Sequence, residues 1–366
     1  MDLRLPKKTQ PCYKWIVITL SLVTLVLFCV TLFFNFIGAT ANNGLFKNGI
    51  GAVSDDFPLD ITPAGYTFII WGLIYIWQAA WIIYVLTSLC RRNQYGAVFT
   101  NPPIVTPFFL MSFCLNLWLN IMWLFLFDRK LIVWSFICIF LMYFTLEFPV
   151  LMSHYVAVHK YGKQLKKDHN KNRVPHFRPV KTVAPWLAKK VVPKCETNDW
   201  NCAIIYIFSN LHIKYQMPKC FLESINQKFS FSTLSSSIFL FLIHVYKADR
   251  FAIRILIQNG LVLYRTWLIL ATTLNICIVL TYEGDVDRST SSTVGLVIVA
   301  VFVILDFVIG TTIWDKYQRY TFSNWGVYIW ALIGILVENW DASNRNSIIT
   351  LVLLFVCIIL LLLRFH

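Results

Sequence analysis

Eight stretches of this chain stay apolar for about twenty residues each, at positions 15–38, 64–88, 104–127, 131–155, 261–282, 292–314, 322–340 and 347–363. In a bilayer core no water bonds the backbone N–H and C=O groups, so only helices and closed barrels cross it. The runs are continuous rather than alternating, which argues against barrel strands. The expected fold is therefore all-α, a polytopic transmembrane bundle of about eight membrane-spanning helices. Composition agrees: 58% of residues are hydrophobic and only 14% charged, against roughly 25% charged in soluble domains.

The net charge of +14 does not call for nucleic acid, because of where the charge lies. If the spans alternate in direction, 26 of the 32 Lys and Arg residues fall on the amino-terminal side, five on the other, and Arg265 alone within a span. That bias predicts both termini in the cytoplasm. Cys29, Cys114, Cys138, Cys277 and Cys357 fall inside spans. Cys195, Cys202 and Cys220 fall in a cytoplasmic segment, where thiols stay reduced. No CxxC pair accompanies His212, so neither a disulfide framework nor a metal site is expected.

Within the apolar runs a few polar residues recur at helical spacing. Trp267, Ala271 and Asn275 fall at i, i+4 and i+8 and form one stripe. Phe68, Trp71, Tyr75 and Gln78 share a face of the second span, and Asn116, Asn120, Trp123 and Phe127 share a face of the third. A buried amide in a membrane helix needs a partner, so these stripes face other helices or a ligand. Three helices that each offer a tryptophan and an amide suggest one shared cavity. Flat apolar molecules stack well on such rings, and an amide can orient a carbonyl or carboxylate.

At these residues the chain resembles the tryptophan-rich sensory protein family, which includes the translocator (peripheral benzodiazepine receptor) proteins. Trp267-Leu268 followed by Ala271-Thr272-Thr273-Leu274-Asn275 is similar to the family's last-helix motif. Leu119-Asn120, Trp123 and Leu126-Phe127 resemble its third helix, and Pro63, Trp71 and Tyr75 keep the spacing of its second. A second proline of that helix is missing near Ile69 and Ile70, and Tyr66 stands one residue out of register. The resemblance covers roughly residues 15–284, less an insertion. It implies a five-helix core whose relatives bind sterols, tetrapyrroles such as porphyrins, and synthetic aromatic ligands.

The expected organisation follows. Residues 1–14 form a cytoplasmic tail and 15–160 the first four helices of the core. Residues 161–248 form a basic cytoplasmic insertion, largely disordered. Residues 249–284 supply the fifth helix, and 285–366 add three more that could occlude the pocket or form a homodimer face. The outer loop 39–62 reads as solvated, Pro63 as the first turn of the second helix, and Pro149 as a kink in the fourth. The ligand-binding set expected from these motifs is Trp71, Tyr75, Asn120, Trp123, Trp267, Thr272 and Asn275.

Glu147, Arg265 and Asp306 are ionisable groups inside spans. A charge at mid-bilayer costs about 3 kcal/mol on insertion scales. Arg265 either snorkels from the inner end of its helix or pairs with Glu147 or Asp306. Such a charge network would also suit an ion- or proton-coupled secondary transporter. A membrane scaffold that offers the basic insertion to a partner is a third reading. No HExxH, GxSxG, Walker or GxGxxG motif occurs, so no enzyme chemistry and no cofactor are expected. The expected partners are the lipid bilayer and a hydrophobic small molecule.

Overall fold

The computed structural model describes residues 11–40, 44–93, 96–99, 103, 105–162, 249 and 251–365. The expected insertion, its cysteines and His212 therefore lie outside the described residues, apart from the first two positions. The described chain is a helical bundle. Its long helices are α1 (Pro11–Thr40), α3 (Ile70–Cys90), α4 (Pro107–Asp128), α5 (Ile132–Tyr155), α6 (Asn259–Tyr282), α7 (Arg288–Thr311), α9 (Ser323–Asn339) and α10 (Arg345–Phe365). Two short helices, α2 (Ile50–Asp55) and α8 (Asp315–Gln318), lie in connections, and a minimal hairpin pairs β1 (Arg92–Asn93) with β2 (Gly96–Ala97).

Seven of these helices are long and apolar enough to cross a membrane. The eighth, α9, has 17 residues, so it is only about 25 Å long. Its end contacts nevertheless reach opposite faces of the bundle. Asn259 Oδ1, near the start of α6, accepts the Phe322 and Ser323 N–H groups at 3.0 and 3.2 Å. At the other end Asn339 Nδ2 donates to the Thr62 carbonyl, just before the second span, at 2.7 Å. Polar residues at both ends thus fasten this shorter helix alongside α6.

Local sequence explains how several helices begin and turn. Thr106 caps α4 by accepting the Phe109 N–H at 3.2 Å, and Pro107 occupies the first turn, where a missing N–H costs nothing. Asp287 caps α7 through the Thr290 N–H and hydroxyl, and those donors hold its carboxyl below the ordinary range. Lys130 takes a left-handed conformation, φ 54°, which closes the tight turn that makes α4 and α5 antiparallel neighbours.

Proline placement departs from expectation at one site and explains a contact at another. Pro63 precedes the cap residue Ala64 rather than opening the helix, and a 3₁₀ turn (Gly65–Ile69) leads into α3. Ala64 N instead donates to Gly334 O on α9 at 3.1 Å. In α5 the helix runs through Pro149. Because Pro149 has no N–H, the carbonyl of Thr145 loses its helical donor. Ser112 on α4 supplies one at 2.6 Å, so the break becomes an interhelical bond.

The loop between α1 and α3 is packed rather than solvated. Phe46, Val53, Leu59 and Ile61 are buried in it. Asp128 Oδ1 accepts the Lys47 and Asn48 N–H groups at 2.9 and 2.8 Å. Asp56 pairs with Lys130 at 2.9 Å and Asp60 with Arg288 at 3.0 Å. Two of the acids that line this face are thus matched to basic residues of the same face.

On either side of the expected insertion the chain widens into π-helical turns (Val156–Gly162 and Ile253–Gln258). Trp77 on α3 donates to Ile255 O at 3.0 Å, and Gln78 donates to Gly260 O at 2.9 Å. Arg91 and Tyr84 hold Asp249 at 2.6 and 2.9 Å. The approach to α6 is therefore fastened to the second span.

Close helix approach is tightest at Gly334. A Cβ there would lie 2.2 Å from Thr67 Oγ1 and 3.1 Å from its methyl group. Gly334→Ala is expected to cost about 1–3 kcal/mol through overpacking, read as a lower melting temperature of the detergent-purified protein.

Candidate ligand cavity and intramembrane charge cluster

Trp71 on α3 is the hub of the aromatic residues. Its ring stacks on Tyr75 at 5.7 Å and on Trp123 at 6.1 Å. It meets Trp267 and Tyr264 edge-on at 6.2 and 6.0 Å. Trp123 stacks in turn on Phe127, and Phe68 meets Trp267. Helical spacing on α3, α4 and α6 thus gathers Trp71, Tyr75, Trp123 and Trp267 into one cluster.

Beside the cluster lies a cavity of about 60 Å³, walled by Trp71, Trp123, Trp267, Ala271 and Asn275. Much of the remaining wall comes from elements that carry no recognisable motif. Ile50, Ser54 and Ile61 of the packed loop cover it, and Leu296 and Val299 on α7 with Ala331 and Ile335 on α9 close the carboxyl-terminal side. The last helices therefore complete the cavity. On the last helices the lining residues are plain aliphatics, and their periodicity alone could not separate a cavity wall from a helix contact.

The polar candidates divide into three groups. Asn275 reaches the cavity, but its Nδ2 donates to Ala271 O at 2.9 Å and its Oδ1 accepts from Ser135 at 3.2 Å. Helix packing thus occupies its amide. Thr272 faces α5, 3.5 Å from Ile139 O, whereas Thr273, about 100° further round the helix, lines the cavity. Asn120 and Tyr75 stand off the cavity in a hydrogen-bonded chain. Tyr75 donates to Asn35 Oδ1 at 2.7 Å, and Asn35 donates to Asn120 Oδ1 at 2.8 Å. Asn35, expected from its place near the outer end of the first span to be satisfied at the interface, instead joins α1 to this chain.

Among the described residues, four buried groups around Trp71 have no hydrogen-bond partner in good geometry: Asn120 Nδ2, Trp123 Nε1, Tyr264 Oη and Trp267 Nε1. Leaving a buried donor unpaired costs about 1–3 kcal/mol. Two of them, Trp123 Nε1 and Trp267 Nε1, belong to residues of the cavity wall, so a few polar groups sit in an otherwise apolar lining. That is the usual composition of a small-molecule site.

The three intramembrane charges meet on the other side of α6. Arg265 Nε lies 2.7 Å from Glu147 Oε2, and Arg265 Nη2 donates to Asp306 Oδ1 at 2.9 Å. Asp306 Oδ2 also accepts from Tyr328 at 3.1 Å and from Asn324 at 3.3 Å. Arg265 does not snorkel. The helical segment starts at Ile253, so Arg265 sits near its middle, and its side chain is 11% exposed. Pairing offsets the cost of carrying these charges into the bilayer.

A multi-pass bundle of long apolar helices with an aromatic-walled cavity between its spans defines an integral membrane protein. The chain belongs to the TSPO-like protein family, whose sequence model matches residues 21–170 and 220–365. The match runs through the last three helices, beyond the reach of the motif resemblance. No curated protein and no solved structure matches the chain.

Proposed function

We propose that this membrane protein binds a small, flat, hydrophobic molecule carrying a hydrogen-bond acceptor, of tetrapyrrole, sterol or aromatic character, beside Trp71. The observation that supports this most is the set of four unpaired donors around one aromatic cluster. Trp71, Trp123 and Trp267 would supply stacking surface, and the indole N–H groups and Asn120 would orient the acceptor. Tyr75 and Asn275 would act by holding the helices in place, with Thr273 in the polar role first expected of Thr272. On this reading the described arrangement is closed. Ligand sites are typically about 300–1,000 Å³, so the loop bearing Ile50, Ser54 and Ile61 must move to admit such a molecule. The distribution of Lys and Arg supports an amino-terminal face in the cytoplasm.

The test is tryptophan fluorescence of the detergent-purified protein titrated with protoporphyrin and, separately, a cholesterol analogue. Saturable quenching is expected. Trp267→Phe keeps the ring stack and removes one donor, so affinity should fall about tenfold, or about 1.4 kcal/mol. A flat titration of a folded sample would overturn the reading. A second reading, coupled transport, draws on the paired charges of Glu147, Arg265 and Asp306. Under it Asp306→Asn stops pH-driven uptake into vesicles, whereas under simple binding that substitution leaves the titration unchanged.

A further inference from the structure

The charge cluster on α5, α6 and α7 holds two carboxyl groups against one guanidinium. Three donors converge on Asp306: Arg265 Nη2, Tyr328 Oη and Asn324 Nδ2. Donors of this kind favour the ionised carboxylate. Glu147 has no comparable set. Its Oε2 lies 2.7 Å from Arg265 Nε but outside hydrogen-bond geometry. With both carboxyls ionised, the cluster would carry one uncompensated negative charge among helices that lie in lipid. It is also short of a donor, since Asn324 Oδ1 is buried and accepts nothing.

The surrounding groups do not make up the difference. Tyr143 on α5 and Tyr328 on α9 are uncharged neighbours of the cluster, and Cys357 on α10 lies beside Tyr328. Further along α5, His154 has both ring nitrogens engaged, with Val150 O and Thr321 Oγ1 at 2.8 and 3.0 Å. Arg364 at the end of α10 donates to Gln318 O at 2.6 Å and, among the described residues, forms no ion pair with Glu147 or Asp306.

We propose that Glu147 carries an exchangeable proton inside the membrane, so that the cluster rests as a neutral carboxyl beside an Arg265–Asp306 ion pair. Glu147 is also the accessible member. Its side chain is 27% exposed, against 8% for Asp306. Phe144 and Phe148, which flank it on α5, are exposed on the rim of the bundle. The proton is held at that rim, next to the lipid. This site goes beyond both readings above and stands whether or not the cavity takes a ligand or the protein transports anything.

The test uses dicyclohexylcarbodiimide on the intact protein in lipid vesicles. The protonated carboxyl adds across one C=N bond of the reagent, its proton passing to nitrogen and its oxygen to carbon. The adduct rearranges to a stable acylurea that peptide mass spectrometry locates. Modification is expected at Glu147 and not at Asp306, faster at acidic than at alkaline pH, and absent in Glu147→Gln. The glutamine variant mimics the protonated side chain and should fold. Absence of modification at Glu147 in folded protein would overturn the proposal, as would a rate indifferent to pH. Protection by sodium ions at constant pH would also overturn it, by showing a metal cation where the proton is placed.

Discussion

Arg265→Leu is expected to leave little folded protein. Among the described residues, the substitution removes the only positive charge in contact with both Glu147 and Asp306, and Asp306 then loses its charged donor while still buried. Breaking a buried pair by removing one partner costs about 3–5 kcal/mol, a large share of the roughly 5–15 kcal/mol that holds a typical domain. Protonation of the stranded Asp306 recovers part of that loss, so acidic pH should raise the yield of the variant. Removing all three ionisable groups together, as Arg265→Leu with Glu147→Gln and Asp306→Asn, should restore most of the melting temperature. Groups that share one network are not additive, and the combined variant measures that coupling. The readout is a thermal melt with size-exclusion chromatography in detergent. A single variant as stable as the parent would mean that the cluster contributes nothing to the fold.

The residues differ in how plainly the sequence disclosed them. Apolar run length exposes the spans, because the bilayer imposes the same length on each. Even α9, with 17 helical residues, was marked by its run. The aromatic hub was legible for a related reason: Trp71, Trp123 and Trp267 are too large and too regularly spaced to be scattered at random. Polar residues were harder to place. Asn275 and Asn120 look alike in sequence, yet Ser135 occupies one amide and the other keeps an unpaired N–H. That difference depends on which residue faces them from another helix. Thr272 and Thr273 differ by one position and about 100° of helix rotation, and a motif match does not resolve that. Tyr328 and Asn324 join the charge cluster from a helix that carries no charge of its own near that level, so nothing in their immediate neighbourhood pointed to Asp306. The burial of loop 44–64 depends on tertiary contacts to Asp128, Lys130 and Arg288, all distant in sequence.

Ending the chain after residue 284 is expected to abolish folding, despite leaving all five helices that resemble the translocator core. The reason is the position of α6. The span that contains it is the most buried of the seven, with 67% of its apolar window inside the protein. Much of that burial lies against α7 and α9. Without them Arg265 loses Asp306, and Asn259 loses the Phe322 and Ser323 N–H groups it accepts. Gly295 no longer fills the space between Cys277 and Ile61. The cavity loses Leu296, Val299, Ala331 and Ile335 and opens to lipid on that side. Lipid can replace apolar contacts at little cost, since tails are as apolar as leucine. It cannot replace hydrogen bonds or a counter-charge, so the polar losses decide the outcome. The truncated chain should therefore appear in detergent as aggregate rather than as a single species. Supplying residues 285–366 as a separate chain should recover some of the folded form, because those losses are contacts and not chain continuity. A truncated protein that is monodisperse and still quenches with protoporphyrin would instead show that the five-helix core is self-sufficient, with the later helices only leaning against it.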